Sequence, residues 1–114
     1  MKSKTIPIRR YGQVIKVRPE HKQEYIRCHA AVWPEILRKI TECNIRNYSI
    51  FLKDDHLFAY FEYIGDDFNG DMAKMAADPK TQEWWSLMKP MQEPLSTRAK
   101  DEWWADMREV FHLD

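Results

Sequence analysis

Between residues 10 and 17, Tyr11, Gln13, Ile15 and Val17 alternate with Gly12, Val14 and Lys16. A period of two predicts a first strand. The period then changes. Pro19-Glu20 suits the first turn of a helix, because Pro needs no amide partner there and Glu complements the helix dipole. Ile26, Ala30, Trp33, Leu37 and Ile40 recur at helical spacing and are expected to face a core. A second stripe, Tyr25, His29, Val32 and Ile36, runs beside them. Pro34 is expected to kink or break this helix, which ends over 41–44. Residues 45–53 and 56–64 are rich in β-formers and flank Asp54-Asp55, so they predict a hairpin. A weak helical pattern over 67–77 is interrupted by Gly70. Asp78-Pro79 restarts a helix that runs to about Met88 and is stopped by Pro90 and Pro94. Residues 89–103 suggest a loop, and the alternation over 106–113 a last strand. Residues 1–8 are expected to be a loose leader.

The predicted order is β-α-β-β-α-β, the split pattern of ferredoxin-like α+β folds, in a single domain spanning 1–114. Two helices would cover one face of a four-stranded antiparallel sheet. The other face needs a partner. In the third strand Leu57, Ala59, Phe61 and Tyr63 point one way, while Phe58, Tyr60 and Ile64 point the other with Glu62 among them. A sheet open to water on one side carries a polar outer face. This one is apolar on both, so a second copy of the chain is expected to cover it.

Composition narrows the function. With 114 residues there is room for one core and not two. Lys plus Arg and Asp plus Glu are 18 each, so no net field draws nucleic acid or an anionic membrane. No apolar run approaches a membrane span, and the basic start is not followed by a signal-peptide core, so a cytoplasmic address is expected. Cys28 and Cys43 are too few for a disulfide scaffold and are expected to be small, partly buried side chains. With Gly12, Gly65 and Gly70 as the only glycines there is no phosphate-binding loop, so a nucleotide cofactor is not expected. The histidines His21, His29, His56 and His112 fall in four elements without metal-ligand spacing, so neither is a metal.

The candidate chemistry is aromatic. Tyr25 and His29 are four apart on one helix face, where a phenol and an imidazole could exchange protons with a substrate or simply pack. Trp84 and Trp85 diverge by about 100° around a helix, so one could pack while the other lines a pocket, or both could belong to a helix with a broad apolar side. Flat indole faces suit the C–H faces of sugars. Trp103-Trp104 repeats the pattern E-W-W-x-x-M seen at 83–88 and allows the same two roles. Tyr48 could supply a hydroxyl to a pocket or pack in the sheet. Glu62 is expected in a structural ion pair.

Taken together, Glu24-Tyr25 followed by His29, Trp33-Pro34-Glu35, Asn47-Tyr48-Ser49-Ile50, Trp84-Trp85-x-x-Met88 and Glu109-Val110-Phe111-His112-Leu113 resemble the L-rhamnose mutarotase family in order and spacing. The resemblance spans about residues 11–113. It implies a dimeric α/β barrel of ferredoxin-like subunits that interconverts the α and β anomers of L-rhamnose without a cofactor. It also implies His29 as proton donor, with Tyr25, Tyr48, Trp84 and Trp85 contacting the sugar. The segment 94–104, with its second Trp pair, differs from the Asn/Asp/Pro/Ser-rich stretch expected there. The fold would also carry two alternatives: a monooxygenase for haem or an aromatic substrate, and a non-catalytic sugar-binding dimer.

Overall fold

The computed structural model describes residues 6–114. Most of the expected leader lies outside these; Ile6, Pro7 and Ile8 have no regular structure. The elements are β1 (Arg9–Val17), α1 (Lys22–Ala30), α2 (Pro34–Glu42), β2 (Ile45–Lys53), β3 (His56–Tyr63), α3 (Phe68–Ala77), α4 (Pro79–Met88), β4 (Gln92–Glu93) and β5 (Ala105–Met107). Short 3-10 turns precede α1 and follow α4.

Each crossover holds two helices instead of one, and local chemistry sets each break. Pro34 disfavours a helical residue before it, so Trp33 is extended at φ −58°, ψ 136°; α1 ends and α2 starts afresh with Pro in its first turn. The Asp78 carboxylate accepts from the Thr81 amide at 3.0 Å and from Thr81 Oγ1 at 2.9 Å, capping α4. Asp67 caps α3 by accepting from the Gly70 amide at 3.0 Å. A Cβ at position 70 would overlap the Asp67 carboxylate. The glycine that weakens the helical pattern in sequence is thus what lets this helix be capped.

All strand pairs are antiparallel, in the order β2-β3-β1-β4, and β5 also pairs with β1. This is the ferredoxin-like order predicted from the element sequence. The fourth strand differs from expectation. The stretch 89–103, whose sequence suggests a loop, contains β4, with Gln92 opposite Val17, while β5 covers only Ala105–Met107 opposite Val14, Gln13 and Gly12. The pattern over 108–113 alternates correctly, but the chain leaves the sheet after Met107. Val110, Phe111 and Leu113 are 87%, 78% and 79% exposed. Alternation specifies a strand only where a free edge lies alongside to receive it.

β2 carries a bulge. Its register against β3 shifts between Arg46 and Ser49, leaving Asn47 and Tyr48 together opposite one stretch of β3. Asn47 adopts φ 51°, which Asn tolerates better than most residues. The extra residue lets Ile45 and Tyr48, three apart, both face the helices; Ile45 packs with Phe61 and Tyr63, and the Tyr48 ring lies 5.5 Å from Phe61.

The main core lies between sheet and helices: Ile15, Val17 and Leu57 against Tyr25, Ile36, Trp84, Met88 and Met91. Burying each such large apolar side chain contributes about 1.5–3 kcal/mol. The expected helix stripe divides: Trp33 and Ile40 pack against the core as expected, and its other members do not. Ile26 and Leu37 are 45% and 53% exposed, while Tyr25 and Ile36 from the second stripe are buried. Both stripes satisfy the helical period, and only the sheet decides which members of each turn inward. A second cluster joins Ile45, Phe61 and Tyr63 to Tyr11 and Phe68. At its edge the buried Asp71 carboxylate accepts from Tyr63 Oη at 2.5 Å and Asn44 Nδ2 at 2.9 Å. Cys43 is buried and Cys28 half-buried, the roles expected of them.

The opposite sheet face is open, with Phe51 66%, Phe58 37% and Met107 41% exposed. Glu62 lies there, but its partners are not those expected: its oxygens accept from Asn47 Nδ2 and Tyr60 Oη, both at 2.7 Å. These two neutral donors lower the carboxyl's pKa; Arg10 adds only a smaller charge effect.

Candidate active site

Tyr25 and His29 project from α1 towards α4 and the sheet. Their rings stack at 4.2 Å between centroids, 25° from parallel. His29 Nδ1 lies 2.9 Å from the Tyr25 carbonyl oxygen. A carbonyl only accepts, so Nδ1 carries the hydrogen and Nε2 of the neutral ring holds the lone pair. Burial lowers the His29 pKa below its ordinary 6.5, with the carbonyl bond opposing in part. The imidazole is therefore neutral and basic at neutral pH.

Trp84 closes one side. It is 7% exposed and meets the His29 ring edge-on at 5.7 Å and the Trp33 ring at 5.1 Å. Trp85 diverges from it as helical neighbours must, packs at the margin of the same core and carries the Lys89 ammonium 5.9 Å above its ring. Lys89 also lies 5.6 Å from the Trp103 ring.

The Tyr25 phenol is buried, and desolvation raises its pKa far above the normal tyrosine range. The neighbouring Tyr48 phenol contributes to that rise, which puts the two hydroxyls within electrostatic reach of each other. Loss of water around its own hydroxyl raises Tyr48 to about 12, although the residue as a whole is 43% exposed. The hydroxyl end faces inward while part of the ring meets solvent. Both phenols are neutral hydrogen-bonding groups at physiological pH.

Four of the five residues singled out in sequence, Tyr25, His29, Tyr48 and Trp84, therefore converge, and Trp85 borders them. Trp33, Gln92 and Trp103 complete the surroundings and were not singled out as site residues. Trp33 was assigned to a core stripe. Trp103 belongs to a pair whose sequence allows two roles, and nothing in the sequence marks Gln92. Two open clefts of about 560 and 290 Å³ lie elsewhere, one beside Tyr60, Met107 and Phe111, the other beside Lys16, Asp55 and His56. Neither is lined by the Tyr25–His29 pair, whose surroundings bring an imidazole, two phenols and indole faces together at the helix–sheet seam. Titratable groups perturbed by burial and gathered beside aromatic faces mark a candidate for chemistry. Among the described residues no three His, Cys, Asp or Glu side chains stand where they could hold a metal ion.

A ferredoxin-like α+β domain with a half-buried imidazole, neutral phenols and edge-to-face indoles defines a class: a small protein equipped for acid–base work on a compact, flat-faced substrate. The family follows from comparison with known proteins. The family model described as L-rhamnose mutarotase matches residues 10–113. The chain is 33% identical to the L-rhamnose mutarotase of Oceanobacillus iheyensis, over 94% of this chain and all of that one. It is 36% identical to that of Opitutus terrae, over 89% and 94% of the two chains. The crystal structure of an L-rhamnose mutarotase from Formosa agariphila superposes with a TM-score of 0.72 at 22% identity, covering 93% of this chain and 99% of the other, which shows the shared fold. This chain belongs to the L-rhamnose mutarotase family.

Proposed function

We propose that this chain is an isomerase that interconverts the α and β anomers of L-rhamnose by acid–base-assisted ring opening and closing. Family membership supports this reading over the oxygenase that the same fold would carry. The observation that carries the mechanism is the 2.9 Å bond between His29 Nδ1 and the Tyr25 carbonyl, which leaves Nε2 with its lone pair beside the Tyr25 and Trp84 rings.

In this mechanism His29 Nε2 takes the proton of the anomeric hydroxyl. The bond between C1 and the ring oxygen breaks, giving the open aldehyde. The imidazolium returns the proton to the ring oxygen. Both oxygens are bonded to C1, so one nitrogen serves both in turn. Rotation about C1–C2 and the reverse sequence close the ring on the other face. Tyr25, too weak an acid to ionise, orients a sugar oxygen as a neutral donor, and Tyr48 holds a second. Trp84 or Trp85 lies against the C–H face of the ring. A placed acid or base contributes about 10²–10⁴-fold. No step needs a cofactor.

The proposal includes a homodimer. The open sheet face with Phe51, Phe58 and Met107, together with the exposed arm carrying Val110, Phe111 and Leu113, supports a second copy seated there. It also includes a cytoplasmic location, supported by the absence, among the described residues, of a helix long and apolar enough to cross a membrane.

The direct test is magnetisation transfer by NMR between the α and β signals of L-rhamnose. The protein should raise anomer exchange well above the buffer rate, and His29→Ala should lower it by about 10²-fold or more while remaining folded. A folded His29→Ala variant with the full rate would remove His29 from the mechanism.

A further inference from the structure

We infer that Gln92 and Trp103 are positioning residues that set the direction of the Tyr25 phenolic proton, so that Tyr25 can only donate to the bound substrate. The inference rests on the mutarotase reading and adds to it two residues from outside the expected site.

Gln92 is 5% exposed and sits on β4, beside Val17. Trp103 Nε1 donates to Gln92 Oε1 at 2.8 Å. An indole N–H donates and never accepts, so the amide oxygen must be the atom that faces Trp103. The amide nitrogen then faces Tyr25 and donates to its Oη at 3.1 Å. The chemistry of the indole alone settles the orientation of the amide. With Oη accepting from Gln92, the single phenolic proton is directed elsewhere, to a group in the site. A flipped amide would accept the Tyr25 proton and remove the donor.

The segment 94–104, which departs from the family pattern, serves to hold this indole. Arg98 Nη1 donates to the Leu95 carbonyl at 3.1 Å, the Ala99 amide donates to Glu102 Oε1 at 2.9 Å, and the Glu102 amide donates back to the Ala99 carbonyl at 3.1 Å. Asp101 turns the chain at φ 72°. The fold thus places Trp103 behind Gln92, and Lys89 lies above its ring. Trp103 of the second Trp pair, without a role in the sugar contacts, gains one here.

Gln92→Glu tests the relay with almost no change of shape. A carboxylate accepts from both sides, so it keeps the Trp103 bond and turns the Tyr25 proton inward. Anomer exchange should fall by about 10-fold or more at pH 7.5. As the pH is lowered and the glutamic acid protonates, it can donate to Tyr25 while still accepting from Trp103. The ratio of variant to wild-type rate should therefore rise towards acid. Without the relay the ratio would not rise towards acid, because the added carboxylate would only favour the His29 imidazolium and lower the variant's acid-side rate. Trp103→Phe keeps the ring and frees the amide to flip; it should cost about 5-fold, the scale of one neutral hydrogen bond, and cost nothing further in a Tyr25→Phe background. This second variant decides the matter if Gln92→Glu does not fold.

Wild-type protein without anomer exchange would overturn the functional reading itself. Active wild type with an unchanged Gln92→Glu rate, or with a ratio that does not rise towards acid, would overturn the relay alone. Independently of activity, the tyrosine Raman doublet of Tyr25, isolated as the difference against Tyr25→Phe, should change on Gln92→Glu, and constancy there would also overturn it.

Discussion

His29 is the residue whose chemistry is most constrained. Burial favours its neutral form, so its pKa in the folded chain lies below the ordinary 6.5. If Nε2 is the base, kcat/KM for anomer exchange should be level through neutral pH and fall on the acid side, with a midpoint below 6.5. A limb centred above that value would assign the titration to another group. The sign for stability is the same. Between the folded and unfolded values the unfolded chain binds a proton that the folded chain does not, so this residue lowers stability as pH drops through that window. The Tyr25–His29 pairing was legible from spacing four on a helix, but its acid–base polarity was not. That required the Tyr25 carbonyl beside Nδ1, which appears only once the helix is built.

Among the elements, the bulge in β2 matters most to the site. Strict alternation would put Ile45 on the open face whenever Tyr48 faced the helices. The extra residue at Asn47 places both inward. Asn47 holds this with a positive φ and a 2.7 Å bond to Glu62. Asn47→Ala should therefore cost about 1–2 kcal/mol in chemical denaturation. It should also raise KM for the sugar through Tyr48, with a smaller change in kcat. Asn47→Gly, which accepts the backbone without strain, should recover part of the stability. Equal stability of the Ala and Gly variants would mean that backbone strain plays no part. The hairpin, the first strand and the Pro79 helix were all readable, because period, turn residues and proline each act locally. The bulge was not, since nothing local distinguishes a strand with one extra residue from a regular one.

For the whole molecule, the unresolved energetic question is the open sheet face and the arm beyond β5. The extents of 56 × 34 × 27 Å are long for a chain of this size, and the arm leaves three large apolar side chains in water. Such exposure is costly in a lone chain and is relieved when a partner covers it. Sedimentation analysis should find a dimer. Removing residues 108–114 should shift the chain to monomer at the same concentration while leaving far-UV circular dichroism nearly intact. A full-length chain that sediments as a monomer across micromolar concentrations would overturn the dimer.

By itself, the sequence determined the order of the elements, the ferredoxin-like topology that follows from it, the two apolar faces of β3 and the aromatic residues of the candidate site. These depend on period and on the local chemistry of Pro, Asp and Gly, which act over a few residues. Tertiary structure alone decided which members of each helical stripe turn inward, how the fourth strand divides between β4 and β5, and that Gln92, held by Trp103, reaches Tyr25. Those outcomes depend on which edge and which partner lie alongside. Tyr25 and Gln92, 67 residues apart in the chain, become neighbours only when β4 closes onto β1.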